Sequence, residues 1–485
     1  MPCTTILVGK NASYDGSTMI SRNDDGSFEA KKVITVTPDK QPRKYRSVIA
    51  HLEIELPEDP ISYTSAPSVS KKNGIWPACG INEMNVGMTA TETITTNPRV
   101  MGADPMVEYQ PASRGKKKVP GGIGEEDLVV LVLPYIKTAR EGVERLGMLL
   151  EKYGTYESNG IAFNDENEVW WMETIGGHHW IARRVPDDRV VIMPNQFGLD
   201  NFDFDDAFGE KKEHLCSADL KRFVEENHLA LDQEASFDPR LAFGSHADSD
   251  HIYNTPRAWY MARYFMPTAF VWNGENADFT PESDDLPWSL VPERKVTPED
   301  IKYLLSSHYQ GTPYDPYDSL SDKHGKYQVI GVPNSDVSIL LQIRGYMPDA
   351  LKGVEWVSMG GSGYTAMVPL YARGGKIPDY FSATPEEVTT GYCYWDSRLI
   401  AMMTDAFHST GLILDERYQN KVFNLGRRIL HDMDEKYLQE KELPALSEAN
   451  KQIALMLKKE SAAVIAKLLG NAGEHMKTRY HRGDN

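Results

Sequence analysis

Apolar and polar positions along this chain mark short strands and turns near its start and mostly helix towards its end. Residues 1–100 read as short strands and turns. Cys3-Thr4-Thr5-Ile6-Leu7-Val8 is a short β-branched run, followed by a turn-rich Gly9 to Ser17 stretch and then Thr18-Met19-Ile20-Ser21. This pattern predicts an antiparallel hairpin. With Val8 set opposite Ser17, Cys3 falls opposite Arg22. Directly opposed residues share a face at about 5 Å, so Cys3, Arg22 and Asp25 are expected to share one site.

The Pro/Ser-rich segment from Pro57 to Ser70 reads as loop, strand-like patterning returns over Gly87 to Ile94, and the basic, glycine-rich Arg114 to Gly124 reads as an exposed loop. Glu125 to Tyr153 has a helical apolar face, acidic residues in its first turn, and a bend or break expected at Pro134. A strand meander is expected over Glu168 to Thr174, His179 to Val185 and Arg189 to Pro194, with Gly176-Gly177 and Pro186-Asp187-Asp188 as turns. From about Tyr392 the chain reads as mostly helical, and Ser447 to Leu469 is amphipathic behind a cap-like serine. There is no convincing internal repeat. Sheet-rich and helical segments in this order fit a layered α+β architecture.

Composition narrows the function classes. The 485 residues carry 41% hydrophobic and 25% charged positions and a formal net charge of -18. That charge argues against nucleic acid or an anionic membrane as the main partner. Ile6-Leu7-Val8 is too short for a secretory segment, and no apolar stretch is long enough to span a bilayer. Cys3, Cys79, Cys216 and Cys393 are scattered without metal-like spacing, which favours a reducing compartment. A cytoplasmic protein is expected, acting as a homo-oligomer without nucleic acid or membrane.

Cysteine at position 3 offers a particular chemistry. If processing exposes it, one residue supplies both a thiol and an α-amine, whose ordinary pKa of about 7.7–8.0 suits it as a base. An adjacent arginine lowers a thiol's pKa and holds the thiolate. Metal chemistry is the competing enzyme reading. His246-Ala247-Asp248-Ser249-Asp250-His251 is dense in possible ligands, but a polar loop is the simpler reading. His178 and His179, as neighbours on a strand, should point to opposite faces. The Asp200 to Asp206 run lacks calcium-loop spacing, no HExxH occurs, and Gly360-Gly361-Ser362-Gly363 is a loop rather than a nucleophile elbow.

The segments Cys3 to Lys10, Ser13-Tyr14-Asp15-Gly16-Ser17 and Arg22 resemble the start of the C69 dipeptidases, within the N-terminal nucleophile (Ntn) hydrolases. The similarity continues through Gly80-Ile81-Asn82-Glu83, Ala90-Thr91-Glu92, Glu168 to Glu173, Pro194-Asn195 and Tyr253-Asn254-Thr255-Pro256-Arg257, and more weakly through His308 to Thr312 and Tyr394-Trp395. The resemblance implies a four-layer αββα sandwich spanning residues 1–390, with a mostly helical part, residues 391–485, packed on it. It implies cysteine-dependent hydrolysis of dipeptides through a thioester, with no metal or cofactor. Penicillin V acylase and bile salt hydrolase are wider relatives. By the pattern Arg22-Asn23-Asp24-Asp25, Arg22 stabilises the thiolate and Asp25 binds the α-amine. Asn195 matches the oxyanion-hole asparagine, and Arg257 the later active-site arginine, with Arg263 close enough to compete.

Glu92 stands where the acylases carry an asparagine and is expected to bind a dipeptide's amino end, with Asn82 a second substrate contact. An amidase of acylated non-peptide substrates and a non-catalytic secernin-like protein are the alternatives. The amine chemistry carries a condition: Met1 and Pro2 must both be removed to free Cys3.

Overall fold

The computed structural model describes residues 3–26, 28–231, 236–440 and 445–476; Met1 and Pro2, on which the processing expectation falls, lie outside them. Strands β1 (Thr4–Val8) and β2 (Thr18–Asp25) form the expected antiparallel hairpin. Asp15 organises the turn. Its Oδ1 accepts from the hydroxyls of Ser13 and Ser17 and from the Ser17 amide. This wider turn moves the register from the expected one: Val8 faces Met19, and Thr5 rather than Cys3 faces Arg22. Because the slip is by an even number of residues, every side chain keeps its face.

Two antiparallel sheets carry the fold. The first runs in the order Ser289–Leu290, Val190–Met193, β1, β2, Ser335–Ile343, Gly353–Met359, Val368–Tyr371. The second runs His214–Cys216, Trp180–Arg184, Val169–Thr174, Asn159–Asn164, Gly87–Thr89, Cys79–Ile81, and Glu92–Thr93 also pairs with Asn159–Asn164. The expected meander is therefore split. Its first two strands pair in the second sheet, while Val190–Met193 crosses to the first and lies beside β1.

Strand alternation explains three apolar clusters. Leu7, Ile20, Ile339 and Leu341 from the first sheet meet Cys79, Ala162, Trp171 and Ile181 from the second. Ile6, Val8, Met19 and Leu340, on the opposite face of the first sheet, pack with Trp259, Met261, Ile301 and Leu304 from helices Thr255–Phe265 and Pro298–Leu305. Ile161, Phe163 and Trp170 on the second sheet's other face pack with Leu128, Leu131, Val143 and Leu146. That helical region is divided at Pro134, as expected, into Leu128–Val132, a 3₁₀ turn over Leu133–Tyr135, and Ala139–Tyr153. Glu125 precedes the helix instead of starting it.

Three helices, Cys393–Ala406, His408–Glu440 and Leu446–Glu474, follow the sheets. Ser447 lies inside the last helix rather than capping it. Asn450 closes the edge strand Val368–Tyr371: its Oδ1 accepts from the Tyr371 amide at 2.8 Å and its Nδ2 donates to the Tyr371 carbonyl at 3.0 Å. The segment read as loop over 57–70 contains a buried strand, Tyr63–Ser65, paired with Ile34–Val36. Among the described residues no helix is long and apolar enough to cross a membrane.

Candidate active site

Cys3 stands just ahead of β1 and is 3% exposed. On one side Thr5 faces Met193 and on the other Arg22, so continuing both registers by two residues brings Asn195 and Asp24 to either side of Cys3. Arg22 reaches diagonally across the hairpin, its Nη2 lying 3.1 Å from Cys3 Sγ. The same nitrogen lies 2.9 Å from Asp24 Oδ1 and 2.7 Å from Glu125 Oε1. Asp24 is paired in turn with Lys31, at 2.9 Å. Cys3, Arg22, Asp24, Asp25, Lys31 and Glu125 line one cavity of about 190 Å³.

Asp25 is reached through a bulge. Ser335 faces Asp25 but Val337 faces Asp24, leaving Asp336 as the extra residue. Ser335 Oγ thereby donates to Asp25 Oδ1, and Ser362 Oγ donates to Ser335 Oγ at 3.0 Å. Asp25 Oδ2 is buried without a hydrogen-bond partner among the described residues. Burial pushes the Asp25 carboxyl well above its ordinary range, against the pull of Ser335 and Arg257.

Asn195 and Arg257 form a bracket around the Cys3 backbone. Arg257, fully buried, donates through Nη1 to the Cys3 carbonyl and to Thr4 Oγ1, and through Nη2 to Asn195 Oδ1 at 2.7 Å and Asn254 Oδ1 at 2.9 Å. Asn254 Nδ2 returns to the Asn195 carbonyl at 3.1 Å. With its oxygen held by Arg257, Asn195 aims Nδ2 at the Thr93 carbonyl, 2.9 Å away, and has a second N–H left to give. Arg263 instead lies over the Trp259 ring, 5.7 Å from its centroid. Of the two arginines, only Arg257 contacts Cys3.

Glu92 and Asn82, like Asn195 and Arg257, are not among the residues that line the cavity. Glu92 is fully buried and accepts from Thr5 Oγ1 at 2.7 Å. Burial raises it to about 7, with Arg257, Thr5 and Arg22 opposing. Asn82 is a structural tie. Its Nδ2 donates to the carbonyls of Leu133 and Ile136, and its Oδ1 accepts from the amides of Met84 and Val86. All its bonding positions are engaged within the protein, so the expected substrate contact is not made.

The thiol also departs from expectation. Burial pushes Cys3 up to about 12; Arg22 pulls it down, and Glu92, Asp25 and Glu125 add to the rise. Arg22 alone therefore does not hold a resting thiolate, and a base must take the proton when the sulfur reacts. Such a site can combine a buried nucleophile, a cation on its sulfur, an amide donor near it, and a carboxyl with one unpartnered oxygen. The expected metal alternative fares differently. His178 and His179 do not point apart; both Nδ1 atoms meet Asp104. Among the described residues no group of three or more His, Cys, Asp or Glu is arranged to hold a metal ion.

Residue patterns alone missed Glu125, Asp24, Lys31 and Ser335. Asp24 was visible two residues from Arg22, on its face of β2. Glu125 had no comparable signal, since its contact with Arg22 spans 103 residues.

Comparison with known proteins gives the family. Residues 2–421 match the model of Peptidase family C69. A dipeptidase of Bifidobacterium longum is 55% identical over 90% of this chain and 83% of its own length. A probable dipeptidase A of Streptococcus pyogenes serotype M3 is 46% identical over the full length of both chains. Among solved structures, a conjugated bile acid hydrolase of Clostridium perfringens overlaps 74% of this chain and 89% of its own, at 11% identity and a TM-score of 0.27, too loose to match residues.

Proposed function

The chain belongs to peptidase family C69, and on that premise we propose that it is a cysteine-type dipeptidase whose nucleophile is the thiol of Cys3. The observation that carries the reading is Arg22 Nη2, 3.1 Å from Cys3 Sγ at the wall of the 190 Å³ cavity. The names of the similar bacterial proteins supply the substrate class, dipeptides. A four-layer αββα sandwich is the architecture we assign, on the strength of two facing sheets whose outer faces each carry a helix-lined apolar cluster.

Hydrolysis of the Pro2–Cys3 bond frees the Cys3 α-amine. The amine removes the Sγ proton, and sulfur attacks the substrate carbonyl carbon. Arg22 steadies the developing thiolate, and the N–H that Asn195 does not give to Thr93 is the donor we assign to the developing oxyanion. The peptide C–N bond then breaks as the protonated amine of Cys3 gives its proton to the leaving nitrogen. Water hydrolyses the thioester, releasing the N-terminal amino acid and restoring the thiol. Asp25, with Oδ2 unpartnered, holds the Cys3 ammonium in this cycle. Arg257 positions Asn195 and the Cys3 carbonyl without touching the reacting atoms.

The test is Cys3→Ala, assayed on free dipeptides alongside wild type with and without EDTA. The variant should fold normally by circular dichroism and lose hydrolysis by at least about 10³-fold, while EDTA leaves wild type unchanged. An active Cys3→Ala protein, or wild type silenced by the chelator, contradicts the reading.

A further inference from the structure

A peptidase that accepts dipeptides must recognise a free α-ammonium close to the scissile bond, and Glu92, the sequence's candidate for that task, is fully buried and does not line the cavity. Glu125 is not. It lines the cavity, and one of its oxygens is held by Arg22 at 2.7 Å. The other oxygen has no protein partner among the described residues, nor is it among the buried orphaned atoms. We propose that Glu125 is the receptor for the substrate's α-ammonium group and makes a free amino terminus a requirement of the site. This assignment rests on the dipeptidase reading above and deepens it.

The geometry is the first support. Cys3 Sγ and Glu125 Oε1 both contact Arg22 Nη2, at 3.1 and 2.7 Å. They are therefore no more than about 6 Å apart. In an aminoacyl group the nitrogen lies two bonds from the carbonyl carbon, about 2.5 Å. A carbonyl poised for attack sits about 3–3.5 Å from the nucleophile. The ammonium of a bound dipeptide thus falls within about 6 Å of sulfur, the same upper bound that the shared Arg22 nitrogen sets for Glu125 Oε1.

Charge is the second support. Arg22 and Lys31 line the cavity with Asp24, Asp25, Glu29, Glu125 and Asp336; Arg398 pairs with Asp336 at 2.6 Å, and the acids still outnumber the cations. Lys31 is already engaged by Asp24 and by the Trp76 carbonyl. Behind Glu125, Glu157 Oε1 accepts the Glu125 amide, and Glu157 is raised to about 7 by burial and by the Glu125 charge. An arriving ammonium relieves this crowding of carboxylates. An N-acylated peptide brings no charge to relieve it and sets a carbonyl against Glu125.

The experiment compares active wild type with Glu125→Gln and Glu125→Asp on Ala-Leu, using N-acetyl-Ala-Leu as both trial substrate and competitor. Glu125→Gln should raise KM for Ala-Leu about 10- to 100-fold, the worth of a charged hydrogen bond, with kcat within about threefold. Inhibition by the N-acetyl compound should be unchanged or tighter, and Glu125→Asp should recover part of the KM. A fall in kcat at constant KM, or equal losses toward both compounds, overturns the proposal and leaves Glu125 acting only through Arg22. Wild type that cleaves N-acetyl-Ala-Leu as well as Ala-Leu overturns it too, while leaving the Cys3 chemistry intact. A Cys3→Ala protein that stays active defeats the nucleophile reading instead, and the KM shift of Glu125→Gln still reads the ammonium contact.

Discussion

At the scale of single residues, the site is a balance between burial and one cation. Burial drives the Cys3 thiol to about 12, and Arg22 is the group that pulls against it. Removing that charge in Arg22→Gln should raise the thiol further and slow its alkylation by iodoacetamide at pH 8 by at least about tenfold, since each unit of pKa costs a decade of thiolate. An unchanged rate shows that Arg22 does not act on the sulfur. Asn195→Ala should lower kcat about 10²–10³-fold with little change in KM, the signature of a donor used in the transition state. Equal effects on KM and kcat speak against that role. Cys3, Arg22 and Asp25 share a face by the pattern of the first hairpin, whereas Asn195 and Arg257 were named only through the family resemblance. Glu125 was not legible in the sequence, because its meaning comes from a fold that carries it to Arg22.

At the scale of elements, periodicity located strands and helices but not their partners. The even register slip in the first hairpin kept Cys3 and Arg22 on one face even though they are not directly opposed. No local signal shows that Val190–Met193 leaves its meander for the other sheet, yet that crossing is what brings Asn195 beside Cys3. Asn82 shows the converse. It sits in a stretch that resembles the family, and its conspicuous place reflects architecture: it ties the turn after Ile81 to the end of the Leu128–Val132 helix region. Asn82→Ala leaves two buried carbonyls and two amides without partners and should cost about 3 kcal/mol in urea unfolding. The kcat/KM of the folded protein should stay near wild type; a selective loss of kcat/KM at unchanged stability contradicts the structural role.

At the scale of the whole molecule, the layered α+β arrangement could be read from the order of sheet-rich and helical segments. The polar groups trapped within it could not. Glu355 is fully buried beside Cys79, whose Sγ lies 3.6 Å away, and burial raises it to about 7. Its ordinary value is 4.5, so between these values the folded chain binds more proton than the unfolded chain. Stability from this group is complete below pH 4.5 and is lost as pH rises through about 7. Glu355→Gln should therefore flatten the decline in urea stability between pH 5.5 and pH 8 and raise stability at pH 8, by up to about 3 kcal/mol. A variant with the wild-type slope rules Glu355 out as a source of that decline.

The central claim, that a freed Cys3 performs the hydrolysis, is tested most directly by mass spectrometry of acid-quenched enzyme during turnover of a dipeptide. The account predicts an active protein whose first residue is Cys3, carrying an aminoacyl adduct on that residue that disappears when substrate is exhausted. Full activity in a protein that still begins at Met1 or Pro2, or an adduct on any other residue, contradicts it.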